Sequence, residues 1–390
     1  MSRSSEAQNP CIDAAIIGGG IAGAWLYHLL TRRGYNVILL EAETLGAGQT
    51  LASQGMIHGG LKYALTGTIT RASEAIASMP SRWRTCLEQA DADVDLASLD
   101  VVADTYYMFA RNSAYGKLTS FFASRALRGR IERIKDVQSL PEFAGFDGVV
   151  YALRDFVIDP EDLLGKLVAI NPDRVFQLRA GPENVRRLAD GQYQLDLLDQ
   201  QLNARYLISC AGNGSSELLT QLQIPNIAVQ QRPLKQVIVR PAAHQVKLFA
   251  HCITGVTSSE PRLTITSHAS SNGLIWYLGG LLASEGVHLS DEEQCARAAA
   301  ELTTCVPWLD WRGASYEALS VNRAEPRQTS GSRPDEAYAA KQDNFIQCFP
   351  TKLTLAPDLG DRVLALLEPP RSSTAWQSNH PRAAVGQAPW

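Results

Sequence analysis

No part of the sequence is an apolar run long enough to cross a membrane, which takes about 18 residues or more. The stretch 273–283 is apolar but far shorter than that. Residues 1–10 are polar and lack the apolar core of a secretory signal. These absences predict a cytoplasmic protein. Contact with the periphery of a membrane stays open, because an amphipathic surface patch need not show in a sequence.

The sequence also lacks an excess of positive charge and a cysteine framework. Lysine and arginine number 36 against 40 acidic residues, a net charge of −4, so a nucleic-acid partner is not expected. The seven cysteines are scattered, odd in number and without a Cys-x-x-Cys pair, which predicts neither a disulfide framework nor a zinc site. No metal is assigned, and 390 residues leave room for two domain-sized cores.

What the sequence does contain is a glycine turn within residues 13–23, directly after a strand predicted at 12–17. Its glycines have the G-x-G-x-x-G spacing of a dinucleotide-binding turn. Gly18 permits a tight turn, Gly20 lets the backbone approach a pyrophosphate, and Gly23 lets a helix pack closely on the strand. Such a turn is weak evidence by itself, because glycine-rich turns also arise by chance.

The surroundings of the turn strengthen the interpretation. A helix is predicted at 21–33 and a second apolar strand at 36–41. The first helical amides, at Ile21 and Ala22, would face phosphates with the support of the helix dipole. Glu41 ends the second strand and is placed to accept hydrogen bonds from ribose hydroxyls. The sequence therefore predicts a bound dinucleotide with an unphosphorylated ribose.

Two kinds of predicted secondary structure alternate along the rest of the chain. Strand–helix elements of the nucleotide-binding kind recur in the middle and near residue 350, whereas from Val229 onward short alternating strands indicate an antiparallel sheet. We therefore predict an α/β protein, with a discontinuous Rossmann-like domain and an inserted α+β substrate domain built on an antiparallel sheet. The predicted segments are 11–75, 150–225 and 342–368 for the first domain, 76–149 and 226–341 for the second, and 369–390 as a disordered tail.

Three motifs carry a family resemblance: I-I-G-G-G-I-A-G at 16–23, Q-G-M-I-H-G-G-L-K-Y at 54–63 and T-K-L-T at 351–354. Together they resemble the FAD-dependent oxidoreductases of the D-amino-acid-oxidase-like superfamily. Within this superfamily, the motifs most resemble those of the FAD-dependent glycerol-3-phosphate dehydrogenases, whose pattern at the second motif is I-H-G-G-L-R-Y. The 2-hydroxyglutarate oxidases are similar and have an I-H-A-G version of this motif. Lys62 stands where the former carry arginine, and the segment after Arg323 departs from their pattern.

The resemblance implies non-covalently bound FAD, with the adenine half on the glycine turn and the isoalloxazine where the domains meet. It implies cofactor contacts from the 50–60 loop, a second glycine turn, an adenine-side strand and the 352–354 helix start. These residues are Thr50, Ser53, Gln54, Gly55, His58, Gly59, Val175, Ala211, Gly212, Lys352, Leu353 and Thr354. A helix starting at 352–354 would aim its positive end at the flavin edge that gains negative charge on reduction.

The catalytic candidates are His58, Arg323 and Lys352. Three interpretations of His58 stay open: it contacts the flavin, it takes the substrate hydroxyl proton, or it is a packed histidine. His268, on a strand of the substrate sheet, is a second candidate for the base. Lys352 would add charge at the flavin or reach an anionic group of the substrate.

Residues near the predicted site indicate that the substrate carries negative charge. Lys62, Tyr63 and Arg323 are candidates for gripping an anionic substrate, because a guanidinium suits carboxylate or phosphate. The leading prediction is an enzyme that moves hydride from a CH–OH carbon of a small anionic substrate, a 2-hydroxy acid or glycerol phosphate, to FAD. Electrons would pass on to quinone or oxygen.

Other functions remain as alternatives. The first keeps the flavin but oxidises a CH–NH group of an amino acid or amine. A nicotinamide-dependent dehydrogenase and a non-catalytic flavin-binding protein are the others, the last suggested by the altered segment after Arg323.

Overall fold

The computed structural model describes residues 9–60, 71–111, 131–253, 260–328, 334, 336–371 and 375–390. Lys62 and Tyr63 lie outside these residues. Within the described ranges, no helix is both long enough and apolar enough to cross a membrane.

Strands and helices alternate along the described chain. The strands are β1 Cys11–Ile17, β2 Val37–Glu41, β3 Met56–Ile57, β4 Val101–Ala103, β5 Tyr106–Arg111, β6 Ile131–Arg133, β7 Gly148–Leu153, β8 Phe156–Ile158, β9 Val175–Gln177, β10 Val185–Arg187, β11 Tyr193–Asp196, β12 Gln201–Ser209, β13 Val229–Arg240, β14 Ala250–Cys252, β15 Leu263–Ser270, β16 Gly273–Gly279, β17 Ser315–Pro326, β18 Tyr338–Gln342 and β19 Phe345–Phe349. The helices are α1 Ile21–Arg32, α2 Arg71–Glu88, α3 Pro160–Val168, α4 Ser215–Gln221, α5 Leu281–Glu285, α6 Asp291–Cys305 and α7 Ala356–Leu364.

The first sheet is parallel at its centre, in the order β9–β2–β1–β12–β19. The long strand β12 pairs with β1 along one edge, and along the other it pairs first with β11 and then with β19. Strands from the start, the middle and the region near residue 345 thus form one sheet. The α/β class and the predicted β1–α1–β2 unit are confirmed.

Helix α1 is buried nearly all round rather than on one face. Every residue from Ile21 to Leu30 is buried, including Trp25 and Tyr27. The reason is that α1 lies between the parallel sheet and helices α3 and α7, so its outer side is covered as well. An amphipathic pattern of Ala, Leu and aromatic residues is compatible with this, because small and large apolar side chains fill both contacts.

The second sheet is mainly antiparallel, in the order β17–β13–β16–β15–β14–β5–β7–β6, with β14 and β5 running parallel. Successive residues of β16 point to opposite faces. Trp276 packs into the apolar core beneath α6, whereas the Tyr277 hydroxyl lies 2.9 Å from the Ala52 carbonyl oxygen, on the side of the 50–60 loop. The predicted α+β domain on an antiparallel sheet is therefore present, with one face turned to the loop that follows β2.

Packing differs from the predicted domain limits at residues 75 and 150. Ile76, Met79 and Trp83 of α2 are buried in the same apolar core as α1 and α7, although they lie beyond the predicted limit of the first domain. Strand β7 crosses residue 150 while pairing with β5 of the antiparallel sheet. Tertiary packing determines which core the apolar face of α2 joins, and local sequence patterns do not specify this.

Residues 375–390 are ordered against the first sheet, which corrects the predicted disordered tail. Val385 forms a parallel bridge with Leu45, and Arg382 an antiparallel bridge with Phe176. The Trp376 ring stacks on Phe176 and is only 6% exposed. Strand β9 lies at the edge of the sheet, where its backbone amides and carbonyls are open to pairing. Residues 375–390 have no hydrophobic periodicity of their own but become ordered by pairing with this edge.

Replacement of Trp376 tests this contact. The Arg174 guanidinium lies 3.5 Å from the centre of the Trp376 ring, and Trp376→Ala removes both this contact and the stacking on Phe176. We expect a loss of about 3 kcal/mol in the free energy of unfolding, measured by urea denaturation. Leu198→Ala, at a residue 78% exposed, is the control and is expected to change it little. A tail without fixed contacts would leave both variants equally stable.

Candidate active site

A cavity of about 310 Å³ lies at the carboxyl ends of the central parallel strands. Open parallel sheets bind ligands at this edge. Its walls come from the glycine turn, the loop after β2, the turn after β12 and the segment after β19. Eleven predicted cofactor residues are among them: Gly18, Gly20, Ile21, Ala22, Glu41, Thr50, Ser53, Ala211, Gly212, Lys352 and Leu353.

Two glycines of the turn, Gly18 and Gly23, have no room for a side chain. Gly18 has φ +101°, and a Cβ there would lie under 3.0 Å from the Cys210 carbonyl oxygen. A Cβ on Gly23 would lie under 3.0 Å from the Gly18 carbonyl oxygen, so Gly23 packs α1 onto the turn as predicted. Gly20 lines the cavity, and the nearest atom to its would-be Cβ is Thr50 Oγ1 at 3.1 Å. The turn thus keeps bare backbone exposed to the cavity.

Two polar side chains hold this turn in place. Glu41 accepts hydrogen bonds from the Gly19 amide (2.7 Å) and the Glu43 amide (2.9 Å). Thr50 Oγ1 accepts from the Ile21 amide (2.9 Å) and so caps α1, whose own N-cap residue is a glycine. A carboxylate has about four acceptor positions, so Glu41 retains capacity for ribose hydroxyls.

A second cavity of about 190 Å³ adjoins the first, and Ser53, Lys352 and Leu353 line both. It lies between the 53–60 loop and the inner face of the antiparallel sheet. The predicted residues Gln54, Gly55, His58 and Arg323 line it. Its other polar lining residues are Asp155, Gln236, His251, Glu260 and Thr264.

The wall shared by the two cavities ends at a helix start. Lys352 is 3% exposed, and its Nζ donates to the Pro334 carbonyl (3.2 Å). Thr351, which precedes it, has φ +60°, a conformation that costs of order 1 kcal/mol or more for a residue other than glycine. A turn at Leu353–Leu355 then leads into α7. The positive end of this helix therefore faces the junction of the cavities.

Thr354 joins this helix start to the 53–60 loop. Its Oγ1 accepts from the His58 amide (3.3 Å) and donates to the His58 carbonyl (3.1 Å). Within the loop, the Gly60 amide donates to His58 Nδ1 (3.2 Å) and the Gly59 amide to Asp155 Oδ1 (2.9 Å). The loop is thereby held at both sides by side chains that line or adjoin the second cavity.

Asp155 is a buried acid that sequence reasoning missed. It lies at the corner between β7 and β8, is 6% exposed, and burial raises its pKa to about 7, which the hydrogen bond from the Gly59 amide offsets in part. The available signal was a single acid between two apolar strands, 148–153 and 156–158. Its position beside His58 depends on β8 pairing with β3, a contact between distant parts of the chain.

The antiparallel sheet contributes further polar residues that were missed. His251 Nδ1 lies 3.1 Å from Thr264 Oγ1, and the Tyr277 hydroxyl lies 2.8 Å from Gln236 Oε1. Gln54 reaches across to the same sheet, where its Nε2 donates to the Tyr277 carbonyl (2.8 Å). Arg323, 9% exposed on β17, donates from Nε to the Arg232 carbonyl (3.4 Å). These contacts give the second cavity a polar inner face.

His268, the second candidate for the base, lines neither of the two cavities. It shares a face of β15 with Thr264 but lies four residues farther along, about 13 Å away in an extended strand. There its ring stacks on Trp390 with 4.4 Å between ring centres, and burial lowers its pKa to about 4.

Val175 also lies outside the residues that line the two cavities. It pairs with Leu39 inside the first sheet, and its carbonyl accepts from the Ala383 amide (3.2 Å). Arg179, just beyond the end of β9, lines the first cavity instead. The backbone carbonyl of Val175, the predicted adenine-side residue, is thus hydrogen-bonded to the 375–390 segment.

Comparison with known proteins bears on the whole chain. Residues 13–321 match the model of the DAO family, described as FAD dependent oxidoreductase. The probable FAD-dependent oxidoreductase PA4991 of Pseudomonas aeruginosa is 42% identical over 366 residues, which cover 91% of this chain and 90% of that protein. The crystal structure of PA4991 is similar with a TM-score of 0.82, at 35% identity and 98% coverage of both chains.

Two more distant solved structures share the fold. The L-α-glycerophosphate oxidase of Mycoplasma pneumoniae has a TM-score of 0.65 at 15% identity, covering 97% of this chain and 99% of that one. The glycine oxidase of Geobacillus kaustophilus has 0.62 at 15%, covering 95% and 99%. Family model, relative and fold agree, and the chain belongs to the DAO family of FAD-dependent oxidoreductases.

Proposed function

We propose that this FAD-dependent oxidoreductase oxidises a CH–OH carbon of a small anionic substrate, such as a 2-hydroxy acid or a glycerol phosphate. The observation that carries the proposal is the pair of adjoining cavities with two buried cations, Lys352 and Arg323, on the walls of the smaller one. A space of about 190 Å³ suits a small molecule. Cations on a cavity wall favour an anionic group, because a guanidinium or an ammonium donates charge-assisted hydrogen bonds to carboxylate or phosphate.

The residues of the first cavity fit FAD. The glycine turn exposes backbone where side chains are sterically excluded, and helix α1 turns its N-terminal end to the same space. We assign the ribose to Glu41 and the pyrophosphate to the turn and to Ala211 and Gly212. When bound, FAD supplies the acceptor for a hydride from substrate carbon.

The protein's own groups would then do three things. Arg323 and Lys352 bind and orient the anionic group of the substrate. The start of α7 and Lys352 stabilise negative charge that develops at the shared wall. The loop around His58, fixed by Thr354, keeps its backbone at the junction of the cavities.

One observation favours a second function, oxidation of a CH–NH carbon. Glu260 lines the second cavity, the proposed substrate cavity, together with Arg323. A carboxylate and a guanidinium therefore face the same space, as a zwitterionic amino acid would require. The fold relative named a glycine oxidase acts on such a compound, but its 15% identity carries the fold alone.

Anaerobic reduction separates the two functions. Purified holoenzyme is mixed without oxygen with 2-hydroxy acids, glycerol phosphate, glycerol or amino acids, and loss of the visible flavin band is followed. Bleaching by the anionic hydroxy compounds supports the proposal, and bleaching by amino acids alone contradicts it. Reoxidation by oxygen or by a soluble quinone then identifies the electron acceptor.

Arg323→Gln tests the anion contact. Loss of a charge-assisted hydrogen bond, worth about 1.5–3 kcal/mol, is expected to raise KM for the anionic substrate roughly 10- to 100-fold. Arg240→Gln is the control, since Arg240 pairs with the exposed Glu317 at the other end of the neighbouring strand β13. An equal rise in KM for uncharged glycerol would contradict a role in binding the anion.

A further inference from the structure

Oxidation of a CH–OH carbon leaves a proton as well as a hydride. The carbon gives up the hydride, the O–H bond breaks, and the C=O bond forms as the proton moves to a base. Inference about that base rests on the proposed function. Of the described residues lining the substrate cavity, His58, Asp155, His251 and Glu260 carry groups able to accept a proton.

The tautomer of His58 argues against it as the base. The Gly60 amide can only donate, so His58 Nδ1, 3.2 Å away, is the acceptor of that hydrogen bond. In a neutral imidazole one nitrogen accepts and the other carries the proton. Nε2 is therefore protonated and can donate a hydrogen bond, but it has no lone pair for the substrate proton.

Glu260 and His251 are held by the antiparallel sheet and its connections. The Ser284 hydroxyl donates to Glu260 Oε2 (3.0 Å). His251 packs against the Tyr106 ring, with 4.7 Å between ring centres, and lies 3.1 Å from Thr264 Oγ1. These contacts hold both groups on the antiparallel sheet and its connections.

Asp155 contacts the loop directly. Its Oδ1 accepts from the Gly59 amide, one residue from His58, and the carboxyl group is almost fully buried. On its other side lies a small cavity of about 110 Å³, lined by Asp155 and by the exposed Ser81 and Arg154. The carboxyl group therefore lies between the substrate cavity and a space that adjoins exposed polar residues.

The charges around Asp155 come from several elements. His58 faces it from the loop, and Tyr106 and His251 from the antiparallel sheet. Lys352, Arg323 and Glu260 line the same cavity. Of the described side chains, helix α2 presents Ala77, Pro80 and Ser81 at this point, none of them charged. Burial dominates its titration, so its ionisation occurs in the neutral range.

We propose that Asp155 is the base that takes the substrate hydroxyl proton, on its Oδ2 oxygen, while His58 donates a hydrogen bond from Nε2. The Gly59 hydrogen bond to Oδ1 orients the carboxylate toward the loop. After the reaction the proton leaves through the small cavity beside Ser81 and Arg154. Asp155 therefore both positions the loop and accepts the proton.

The test compares Asp155→Asn with wild type as FAD-loaded enzymes. Asparagine keeps an oxygen that accepts from the Gly59 amide, so FAD affinity and the flavin spectrum are expected to be unchanged. The kcat/KM for the hydroxy substrate is expected to fall about 100-fold and to lose its rise with pH through the neutral range. Asp159→Asn is the control, because Asp159 caps α3 through Oδ1 four residues away and outside the cavities.

Infrared difference spectra provide a readout apart from turnover. Anaerobic reduction of wild type by substrate is expected to produce the C=O band of a newly protonated carboxylic acid, and this band is expected to be absent from Asp155→Asn. A variant that keeps both the pH dependence and the band would overturn the assignment while leaving the CH–OH chemistry intact. Bleaching of wild type by amino acids alone would overturn both.

Discussion

Gly23→Ala is expected to yield a protein that no longer retains FAD. A Cβ at this position would lie under 3.0 Å from the Gly18 carbonyl oxygen and 3.2 Å from Leu39 Cδ1. The first neighbour is backbone of the dinucleotide turn and cannot rotate away, so α1 has to move off the sheet. We expect a loss of about 3 kcal/mol or more in stability together with loss of the flavin absorbance.

Gly165→Ala is the matched control for this substitution. Gly165 lies inside α3, and a Cβ there would meet no atom within 4 Å. Alanine favours a helix by about 1 kcal/mol over glycine, so this variant is expected to be as stable as wild type or more stable, and yellow. Retention of FAD by Gly23→Ala would mean that helix and turn do not need this close approach.

Asp155→Asn is expected to change the pH dependence of stability. The pKa of Asp155 rises from 3.8 to about 7 on folding, so the folded protein holds a proton that the unfolded chain releases between these values. Stability from this group is complete below pH 3.8 and is lost as pH rises to about 7. A rise of that size corresponds to roughly 4 kcal/mol.

The asparagine variant has no such titration. At saturating FAD, its unfolding free energy minus that of wild type is therefore expected to increase from pH 4 to pH 7.5 and then to level off. Chemical denaturation at a series of pH values measures this difference. A flat difference in Asp155→Asn would mean that burial does not hold its proton.

Local patterns account for the part of the site that the sequence predicted. Gly18, Gly20 and Gly23 act within one strand–turn–helix unit, where spacing alone determines which backbone atoms meet. Thr50, Ser53 and Lys352 were found through the family motifs. All three line the first cavity.

The parts that were missed depend on contacts between distant segments. Asp155 reaches His58 only because β8 pairs with β3, and His251 enters the cavity through its register with Thr264 on β15. His268 has the same residue type and the correct face, yet Trp390 covers its end of the sheet. Register and coverage are tertiary properties, and alternation along one strand does not specify them.

The parallel sheet has a consequence for how the chain is made. Its central strands come from three distant parts of the sequence, and the Arg371 amide donates to Asp13 Oδ1 across 358 positions. Strand β1 carries the dinucleotide turn, and β2 on one side of it follows soon after in the chain. Its other neighbour β12 leaves the ribosome much later, and β19 and residues 375–390 later still. The edge of β1 that pairs with β12 therefore stays open during most of synthesis, and capture of FAD becomes a late event that can complete only after most of the polypeptide has emerged.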